Sequence, residues 1–337
     1  MDSAPKTKDA TSEPWTVMSV LRWTTGRFEE RGLASPRLDA EVLIASALGV
    51  PRVQLYVQFD RPLAAEELGA IREAVKRRQS GQSVAYVVGH KEFFGLDFAV
   101  DARVLVPRPD TETLVDEGLA RLGRSHAAAA TNEVPPAEPS DEGDPSASRT
   151  GETEAQPVDS PVTSPAPSPP GPRIADVGTG SGAIIVALGK RLPDAALFAV
   201  DASPGALEVA RANAARHGVA VTFLEGDLAA PLAPFAPFDL IVANLPYIPS
   251  AEIATLPPEV RAEPRAALDG GPDGLDLIRR LVAAAPALLA PGGALALELG
   301  AGQAPAVASI CRAAGLVDVQ QRRDLGSVDR VVSAKKP

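Results

Sequence analysis

Residues 173–182 read Arg-Ile-Ala-Asp-Val-Gly-Thr-Gly-Ser-Gly, and an apolar stretch, 183–188, follows at once. A short apolar run that ends in glycines and continues into a helical pattern indicates a strand, a tight turn and a helix. Glycines permit a sharp turn and let a ligand approach the backbone closely, because they have no side chain. The stretch therefore predicts an α/β fold with a ligand-binding turn after this strand.

Strand and helix patterns alternate from residue 173 to the end of the sequence. Apolar runs predict seven strands, at 173–177, 196–200, 221–224, 238–243, 294–299, 316–321 and 330–334. Helical spacing predicts helices between them, including 183–191 and 204–217. This alternation is typical of a mostly parallel sheet with helices on both faces, and the last two strands indicate an antiparallel edge hairpin.

Helical patterns dominate the upstream part of the chain. Residues 15–82 predict a small helical domain, with apolar residues at helical spacing in 38–49 and again in 64–79. Charged residues separate the apolar positions of the second pattern, as expected for a helix with one solvated face.

A linking hairpin is predicted over residues 83–106. Its two strands are expected at 85–89 and 96–100, where short runs are rich in aromatic and β-branched residues. The α/β domain is then expected to begin within 107–124 and to continue over 173–337.

Two segments, 1–14 and 125–172, are predicted to be disordered. The second has eleven prolines and no Leu, Ile, Phe, Tyr or Trp, so it cannot bury enough apolar surface to offset its ordering entropy. Its eight acidic residues face a single base, Arg149, so it contributes −7 to the formal charge of −10. The rest of the chain is nearly neutral, which is a poor electrostatic footprint for nucleic acid.

Composition also limits the cellular compartment and the metal chemistry that are expected for this protein. The single cysteine, Cys311, excludes an internal disulfide framework, and the three histidines are isolated, so no metal site is predicted. No apolar run reaches the roughly 18 residues that a membrane span needs. The first residues lack the basic-then-apolar pattern of a signal peptide. These features predict a cytoplasmic protein with no membrane partner.

The glycine turn favours S-adenosyl-L-methionine over a dinucleotide. Its spacing is G-x-G-x-G, whereas dinucleotide binders have G-x-G-x-x-G. Asp176 precedes the turn and would repel a pyrophosphate, but it suits the cationic amino-acid end of the methyl donor, reached through water. The predicted cofactor-binding residues of the turn are Asp176, Gly178, Thr179, Gly180, Ser181 and Gly182.

Further acids follow the next two predicted strands. Asp201 ends one strand, where a carboxylate can accept hydrogen bonds from both ribose hydroxyls. Asp227 follows the next strand and can accept from the adenine amino group. Acids at successive strand ends, in this order, predict one continuous cofactor site.

The corner Asn244-Leu245-Pro246-Tyr247 follows the strand 238–243 and predicts the catalytic residues. An amide nitrogen is a poor nucleophile, because its lone pair is delocalised into the carbonyl. The Asn244 side-chain oxygen and the Leu245 main-chain carbonyl can each accept one N–H of an acceptor NH2 group. Tyr247 can stack on the amide plane, and Pro246 stiffens the turn. Asn244 is also predicted to contact the cofactor. Such an arrangement favours methyl transfer to an amide or amino nitrogen, driven by positioning and electrostatics.

Taken together, these motifs resemble the protein-(glutamine-N5) methyltransferases that modify class-1 peptide-chain release factors, the PrmC/HemK family. The resemblance covers residues of about 15–124 and 173–335. The pieces that carry it lie at 89–95, 106–112, 176–182, 244–247 and 263–275. The segments Val-Pro-Arg-Pro-Asp-Thr-Glu (106–112) and Glu-Pro-Arg-Ala-Ala-Leu-Asp-Gly-Gly-Pro-Asp-Gly-Leu (263–275) are more specific than general methyltransferase signatures.

The resemblance implies a class I S-adenosylmethionine-dependent methyltransferase domain behind a helical domain that grips the release factor. The acceptor it implies is the glutamine of the release factor's Gly-Gly-Gln tripeptide. It also implies a monomer, and the nearly neutral charge together with the family-specific helical domain argues against a direct nucleic-acid partner. Leu228, a predicted cofactor residue, stands where many relatives carry an aromatic beside the adenine.

This sequence departs from the family pattern in two places. The usual corner is Asn-Pro-Pro-Tyr, whereas Leu245 stands here at the second position. The role implied for that position uses a backbone carbonyl, so activity is expected to be kept with some loss of rigidity. The long insertion, 125–172, stands where relatives have a short connection.

Three alternatives stay open on the sequence. One is a nucleic-acid methyltransferase acting on adenine N6 or guanine N2, which would need a basic groove. Another is a glutamine methyltransferase acting on a ribosomal protein, whose pocket would be the same. The last is a non-enzymatic scaffold that keeps a cofactor fold.

Overall fold

A bundle of helices forms the upstream part of the computed structural model, which describes residues 14–124 and 171–337. Within the described part its helices are α1 (Val17–Glu30), α2 (Pro36–Leu48), α3 (Gln54–Val57), α4 (Ala65–Gln79) and α5 (Val84–Val88). Their apolar faces meet in one core, whose fully buried members include Leu21, Phe28, Ile44 and Leu55. The helices predicted within 38–49 and 64–79 are confirmed as α2 and α4.

The strand predicted at 85–89 is wrong, because these residues form helix α5. Ser83 caps it by accepting the Tyr86 backbone N–H at 3.2 Å, and Gly89 ends it at φ 83°. Its valines pack against the helical core. Burial of those side chains outweighs the β propensity on which the prediction rested.

The hairpin starts later than predicted. Its strands are β1 (His90–Phe93) and β2 (Leu96–Ala99), paired antiparallel. Phe94 and Gly95 turn at φ 53° and 74°, the positive values that a tight two-residue hairpin turn requires. The second strand lies where 96–100 predicted it.

A seven-stranded sheet is the centre of the downstream part and confirms the predicted fold class. Its strands are β3 (Arg173–Val177), β4 (Ala196–Asp201), β5 (Thr222–Glu225), β6 (Phe238–Ala243), β7 (Leu289–Glu298), β8 (Val317–Arg323) and β9 (Asp329–Lys335), in the order β5-β4-β3-β6-β7-β9-β8. The first five run parallel, and β9 is antiparallel to both β7 and β8. The predicted edge hairpin is therefore confirmed.

Strand β7 begins earlier than the predicted 294. Pro291-Gly292-Gly293 reads as a turn in the sequence, yet the strand starts at Leu289 and passes through it. Gly293 lies so close to β6 that an added Cβ would be 2.7 Å from the Phe238 carbonyl oxygen. Glycine here serves the close approach of two strands.

Helices cover both faces of the sheet. They are α6 (Glu112–Arg121), α7 (Ala183–Arg191), α8 (Pro204–Arg216), α10 (Asp276–Leu288) and α11 (Ala304–Ala313), while the short α9 (Pro258–Arg261) lies in the segment between β6 and α10. Apolar side chains of α10 and α11 fill the core on one face, and those of α6 and α7 fill the core on the other. Across the two described ranges, no helix combines the length and the apolar character that a membrane span requires.

The chain order reverses at β3, which lies between β4 and β6. In such sheets, ligands bind where the carboxyl ends of the two central strands diverge. The glycine turn follows β3 and the Asn244 corner follows β6, so the topology places both motifs at this edge. The segments predicted to be disordered lie outside the described residues, apart from residues 14, 171 and 172.

Candidate active site

The neighbouring strand holds the glycine turn in place. The Val200 carbonyl at the end of β4 accepts the backbone N–H groups of Gly178 at 2.8 Å and Thr179 at 3.0 Å. The Gly180 N–H donates to Asp201 Oδ2 at 2.9 Å. A pyrophosphate-binding turn must point such donors at its ligand. Here they are already committed, which agrees with a cofactor that has no phosphate.

Four residues of the predicted cofactor set support the turn from behind. Asp176 is fully buried and accepts the Thr179 hydroxyl at 2.7 Å. The Ser181 carbonyl accepts from Asn213 at 2.9 Å. At Gly182 an added Cβ would be 3.2 Å from the Ala210 Cα, so this glycine allows α7 and α8 to pack closely. Asp176, Thr179, Ser181 and Gly182 do not line the cavity described next.

The Asp176 carboxyl has an unusual protonation equilibrium. Burial raises its pKa to about 7, against the Thr179 hydrogen bond, which lowers it. Its Oδ1 atom is buried and has no hydrogen-bond partner among the described residues. The role predicted for this acid, a contact to the cationic end of the cofactor through water, stays a prediction.

A cavity of about 370 Å³ opens at the edge where β3, β4 and β6 end. The predicted cofactor residues that line it are Gly178, Gly180, Asp201, Asp227, Leu228 and Asn244. We call it the donor cavity. Its volume lies within the range of small-molecule sites.

The lining of the donor cavity fits an adenosyl group. The Asp201 carboxylate is held by backbone N–H groups of Gly180 and Ser203, each at 2.9 Å, and has lone pairs left to accept from ribose hydroxyls. An added Cβ at Gly180 would meet no atom within 4 Å, so the missing side chain leaves open space. Asp227 is exposed and forms an ion pair with Arg280. Because an exposed pair contributes little, that partner leaves the carboxylate available to an adenine amino group.

Leu228 adopts a backbone conformation that leucine rarely does, with φ at 48°. Left-handed backbone at a non-glycine residue costs roughly 1–2 kcal/mol. Such conformations cluster at ligand sites, where the surrounding structure imposes them. The position of Leu228 in the donor cavity is consistent with that pattern.

The Asn244 side chain is oriented by its amide nitrogen. Its Nδ2 donates to the Thr111 hydroxyl oxygen at 3.2 Å. Since the NH2 end is committed to the protein, the Oδ1 end is left to accept a hydrogen bond. This is the end that the predicted acceptor amide requires.

A second cavity, of about 190 Å³, adjoins the first. Arg108, Tyr247, Ile248 and Val260 line it, and it shares Asn244 and Leu245 with the donor cavity. We call it the acceptor cavity. The Tyr247 carbonyl accepts from Gln303 Nε2 at 2.9 Å, which fixes the end of the corner.

The segment 263–275 supports the corner through two close approaches of backbone. An added Cβ at Gly270 would lie 2.6 Å from the Pro246 carbonyl oxygen, and one at Gly274 would lie 2.1 Å from that of Tyr247. A bridge between Ile248 and Asp269 joins the two segments. Gly270 and Gly274 therefore allow this segment to dock against the Asn244 corner.

At the start of the same segment, Glu263 binds the other specific motif, 106–112. Its carboxylate pairs with Arg108 at 2.5 Å and accepts the Val106 backbone N–H at 3.3 Å. Burial raises the pKa of Glu263, although Arg108 opposes that shift. The pair joins two motifs distant in sequence at the wall of the acceptor cavity.

Sequence reasoning assigned no role to several residues of this site. Thr111, Arg108 and Gly274 lie in motifs that carry the family resemblance, but the sequence did not indicate what each of these residues does. Gln303 and Glu298 lie outside every motif. For Glu298 the signal is an acid within the otherwise apolar predicted strand Ala-Leu-Ala-Leu-Glu-Leu, 294–299.

The strand order of the sheet, the glycine turn after β3 and the two adjoining cavities together define a class I S-adenosylmethionine-dependent methyltransferase. Two family models agree with this class. Residues 19–89 match the PrmC N-terminal domain, and residues 174–262 match a methyltransferase domain. A release factor glutamine methyltransferase from Geobacter sulfurreducens is 44% identical over 96% of this chain and 98% of its own length. One from Chlorobaculum tepidum is 39% identical over 95% of this chain and 97% of its own length. The chain belongs to the release factor glutamine methyltransferase family.

A solved relative is also similar. The protein-(glutamine-N5) methyltransferase, release factor-specific, from Alicyclobacillus acidocaldarius is 25% identical over 71% of this chain and 99% of its own. The superposition has a TM-score of 0.37, a value too low to support structural inference.

Proposed function

We propose that this enzyme transfers a methyl group from S-adenosyl-L-methionine to the N5 amide nitrogen of the glutamine in the Gly-Gly-Gln motif of class-1 release factors. The observation that carries the proposal is the pair of adjoining cavities that share Asn244 and Leu245. A donor in one cavity and an amide in the other would meet at this corner. Near-full-length similarity to release factor glutamine methyltransferases supports the same acceptor.

The proposed chemistry rests on positioning. S-adenosyl-L-methionine supplies an electrophilic methyl group on a cationic sulfur. Asn244 Oδ1 and the Leu245 carbonyl each accept one N–H of the glutamine amide, which holds its nitrogen toward the donor cavity. The new N–C bond forms as the S–C bond breaks, and one amide proton is released. Orientation of this kind converts an encounter into an effectively unimolecular step.

Tyr247 completes the proposed acceptor site. Burial above all raises the pKa of its phenol to about 12, so the ring stays neutral at physiological pH. A neutral phenol ring can stack on the planar amide, and it carries no negative charge that would attract a competing cation. Pro246 holds Tyr247 at a fixed distance from Asn244 because its own φ is restricted.

Release-factor binding is assigned to the helical domain. Exposed large apolar side chains are concentrated there: Trp15, Trp23, Leu38, Val53, Tyr56, Val57 and Phe59. Concentrations of this kind on a protein surface mark partner contacts. Specificity for the protein substrate would then come from this surface as well as from the acceptor cavity.

The test uses radiolabelled S-adenosyl-L-methionine with a class-1 release factor and the same factor carrying Gln→Ala in its Gly-Gly-Gln loop. Label on the wild-type factor alone is the expected result. Asn244→Ala enzyme is the matched control, expected to transfer no label while Asp201 and the glycine turn still bind the donor. Label on neither factor, with donor binding intact, would redirect the search to a ribosomal protein or to nucleic acid.

Three further properties are part of the proposal. We propose a monomer, acting in the cytoplasm, with no nucleic acid bound directly. The nearly neutral charge outside 125–172 supports the last point. Sedimentation of the purified enzyme, alone and with a short RNA, tests the first and the last of these.

A further inference from the structure

A buried acid, Glu298, lies behind the Asn244 corner and has no part in the chemistry described above. It ends strand β7, and the sheet register pairs Ala243 with Leu297. The next residue of each strand is Asn244 and Glu298, so the backbone alone puts them side by side. Glu298 is 1% exposed and lines neither cavity.

Thr111 lies between these two residues. Its hydroxyl oxygen accepts from Asn244 Nδ2 at 3.2 Å. Thr111 and Asn244 both favour the ionised form of the Glu298 carboxyl, and so lower its pKa against the burial that raises it. Thr111 is the residue before helix α6, where a threonine hydroxyl usually caps the helix by accepting a backbone N–H. Here the side chain makes no capping bond. Its hydroxyl is instead used at the Asn244 corner.

An amide side chain has two ends of similar shape and opposite hydrogen-bonding character. What lies behind Asn244 therefore decides which end faces the acceptor cavity. A carboxylate can only accept hydrogen bonds, and the Thr111 hydroxyl oxygen already accepts from Asn244. Both contacts attract the NH2 end of Asn244 inward and leave Oδ1 for the substrate.

We infer that Glu298 and Thr111 are positioning residues, which hold the Asn244 carboxamide with its oxygen toward the acceptor amide. The inference rests on the proposed function, because that orientation matters only if Asn244 accepts from a substrate NH2 group. Neither residue touches the substrate. Their effect is on the fraction of enzyme in which Asn244 is correctly turned.

Charged groups and burial set the pH above which Glu298 is a carboxylate that can only accept hydrogen bonds. Arg330 attracts its ionised form, whereas Asp110 and the burial of the site oppose ionisation, and burial is the largest influence. The pKa of Glu298 is raised to about 7. Arg330 also pairs with Asp324 and Asp110, at 3.0 and 3.2 Å. Glu298 Oε2 remains buried without a hydrogen-bond partner among the described residues.

Glu298→Gln tests the inference with almost no change of shape. A glutamine can present its own NH2 group to Asn244, which then turns its oxygen inward. We expect kcat with a release factor to fall about 10–100-fold, the usual effect of losing one charge-assisted hydrogen bond in the transition state. The dissociation constant for S-adenosyl-L-methionine is expected to stay within about threefold, since Asp201 and the glycine turn are untouched.

Two further variants separate positioning from general damage. Thr111→Val should lower kcat like Glu298→Gln, and Thr111→Ser should restore it because the hydroxyl returns. Ser333→Ala removes a buried hydroxyl of β9 that bonds Glu117 at 2.5 Å instead of Asn244, and should leave kcat unchanged.

A double-mutant cycle with Asn244→Ala gives the decisive outcome. If Glu298 acts through Asn244, Glu298→Gln should cause no further loss in the Asn244→Ala background. Full additivity, or a Glu298→Gln enzyme within twofold of wild type, would overturn the inference while leaving the proposed function intact. A wild-type enzyme that fails to methylate the release factor would overturn the proposed function and, with it, this inference.

Discussion

The buried side chain of Leu245 lies between the glycine turn and the two cavities. It is 3% exposed, and an added Cβ at Gly178 would be 3.1 Å from its Cδ2 atom. Its proposed role uses the backbone carbonyl, which proline also has. The side chain therefore contributes packing that the usual proline would supply less fully.

Leu245→Pro is expected to keep kcat within about tenfold of wild type. Proline restores rigidity but removes apolar contacts, which destabilises the fold by about 1 kcal/mol or more. Steady-state turnover and thermal unfolding check both parts. A rise in turnover by orders of magnitude would contradict the assignment of a backbone role to this position.

Buried acids make the stability of this fold depend on pH. Burial raises the pKa values of Asp176 and Glu298 to about 7. In the unfolded chain such groups titrate near pH 4. Between about pH 4 and pH 7 the folded state therefore holds protons that the unfolded state has lost. The contribution of both acids to the free energy of unfolding falls as pH rises through this window.

Asp176→Asn should flatten this dependence. A change in the free energy of unfolding that asparagine causes equally at every pH does not alter the slope against pH. The variant should therefore gain stability relative to wild type between pH 5 and pH 7. Urea unfolding at pH 5, 6 and 7 measures the slopes, with the exposed Asp194→Asn as control. Equal slopes for Asp176→Asn and wild type would show that Asp176 is ionised throughout.

The loop 263–275 holds the corner after β6 by backbone contact. Gly274 and Gly302 offer a matched comparison, because both have positive φ, 78° and 83°. A Cβ at Gly274 would be 2.1 Å from the Tyr247 carbonyl oxygen, whereas one at Gly302 would meet no atom within 4 Å. The two positions share the conformational cost of alanine and differ in the available space.

Gly274→Ala is therefore expected to lower kcat by at least tenfold, since displacing an acceptor group by about 1 Å costs up to roughly 100-fold in rate. Gly302→Ala should lose only the stability that left-handed backbone costs alanine, with kcat near wild type. Parallel measurement of kcat and melting temperature checks this. Equal losses of kcat in the two variants would exclude a role for the Gly274 contact.

Exposed apolar residues in α3 and at its N-cap test the docking role proposed for the helical domain. Val53 and Val57 are 63% and 65% exposed and lie four residues apart, so they share one side of this helical turn. Val53→Ser with Val57→Ser should raise the KM for an intact release factor several-fold. The KM for a short Gly-Gly-Gln peptide should not change.

Leu325→Ser is the matched control, because Leu325 is fully exposed and lies between β8 and β9, outside the helical domain. It should change neither KM. If the α3 variant and the control behave alike toward the intact factor, the docking surface lies elsewhere.

The helical domain and the acceptor cavity are physically joined. Arg78 of α4 is buried and donates to Asp39 of α2 at 2.8 Å. It also lies 3.7 Å from Glu259 of α9, the helix that contributes Val260 to the acceptor cavity. The proposed attachment of the release factor to the helical domain and the proposed methylation at the acceptor cavity would therefore occur on one connected frame.

The insertion 125–172 interrupts the chain between α6 and β3, outside both motif groups. We expect its replacement by a short flexible linker to leave kcat and KM within about threefold of wild type, because long surface insertions cost little free energy. Methylation of an intact release factor by the two forms gives the comparison. A large loss of activity in the deletion would assign the segment a role.

The pattern of apolar residues was sufficient to predict the sheet, because period and turn chemistry are local properties. All seven strands and the order of motifs at their ends followed from it. The segment 85–89 was misread because Val84, Val87 and Val88 pack against helices that are distant in sequence. Local propensity carries no information about burial against residues that are distant in sequence. The start of β7 could not be predicted for the same reason.

The chain alone was enough to predict the fold class, the methyl donor and a candidate corner for holding an amide, since each prediction depends on a short run of neighbouring residues. Only the tertiary structure showed that Asp176, Thr179, Ser181 and Gly182 brace the turn from behind it. It also showed that Thr111 bonds Asn244 and that the register of β6 and β7 places Glu298, 187 positions from Thr111 in the chain, beside Asn244. Contacts of this kind depend on strand order and register, which no local pattern encodes.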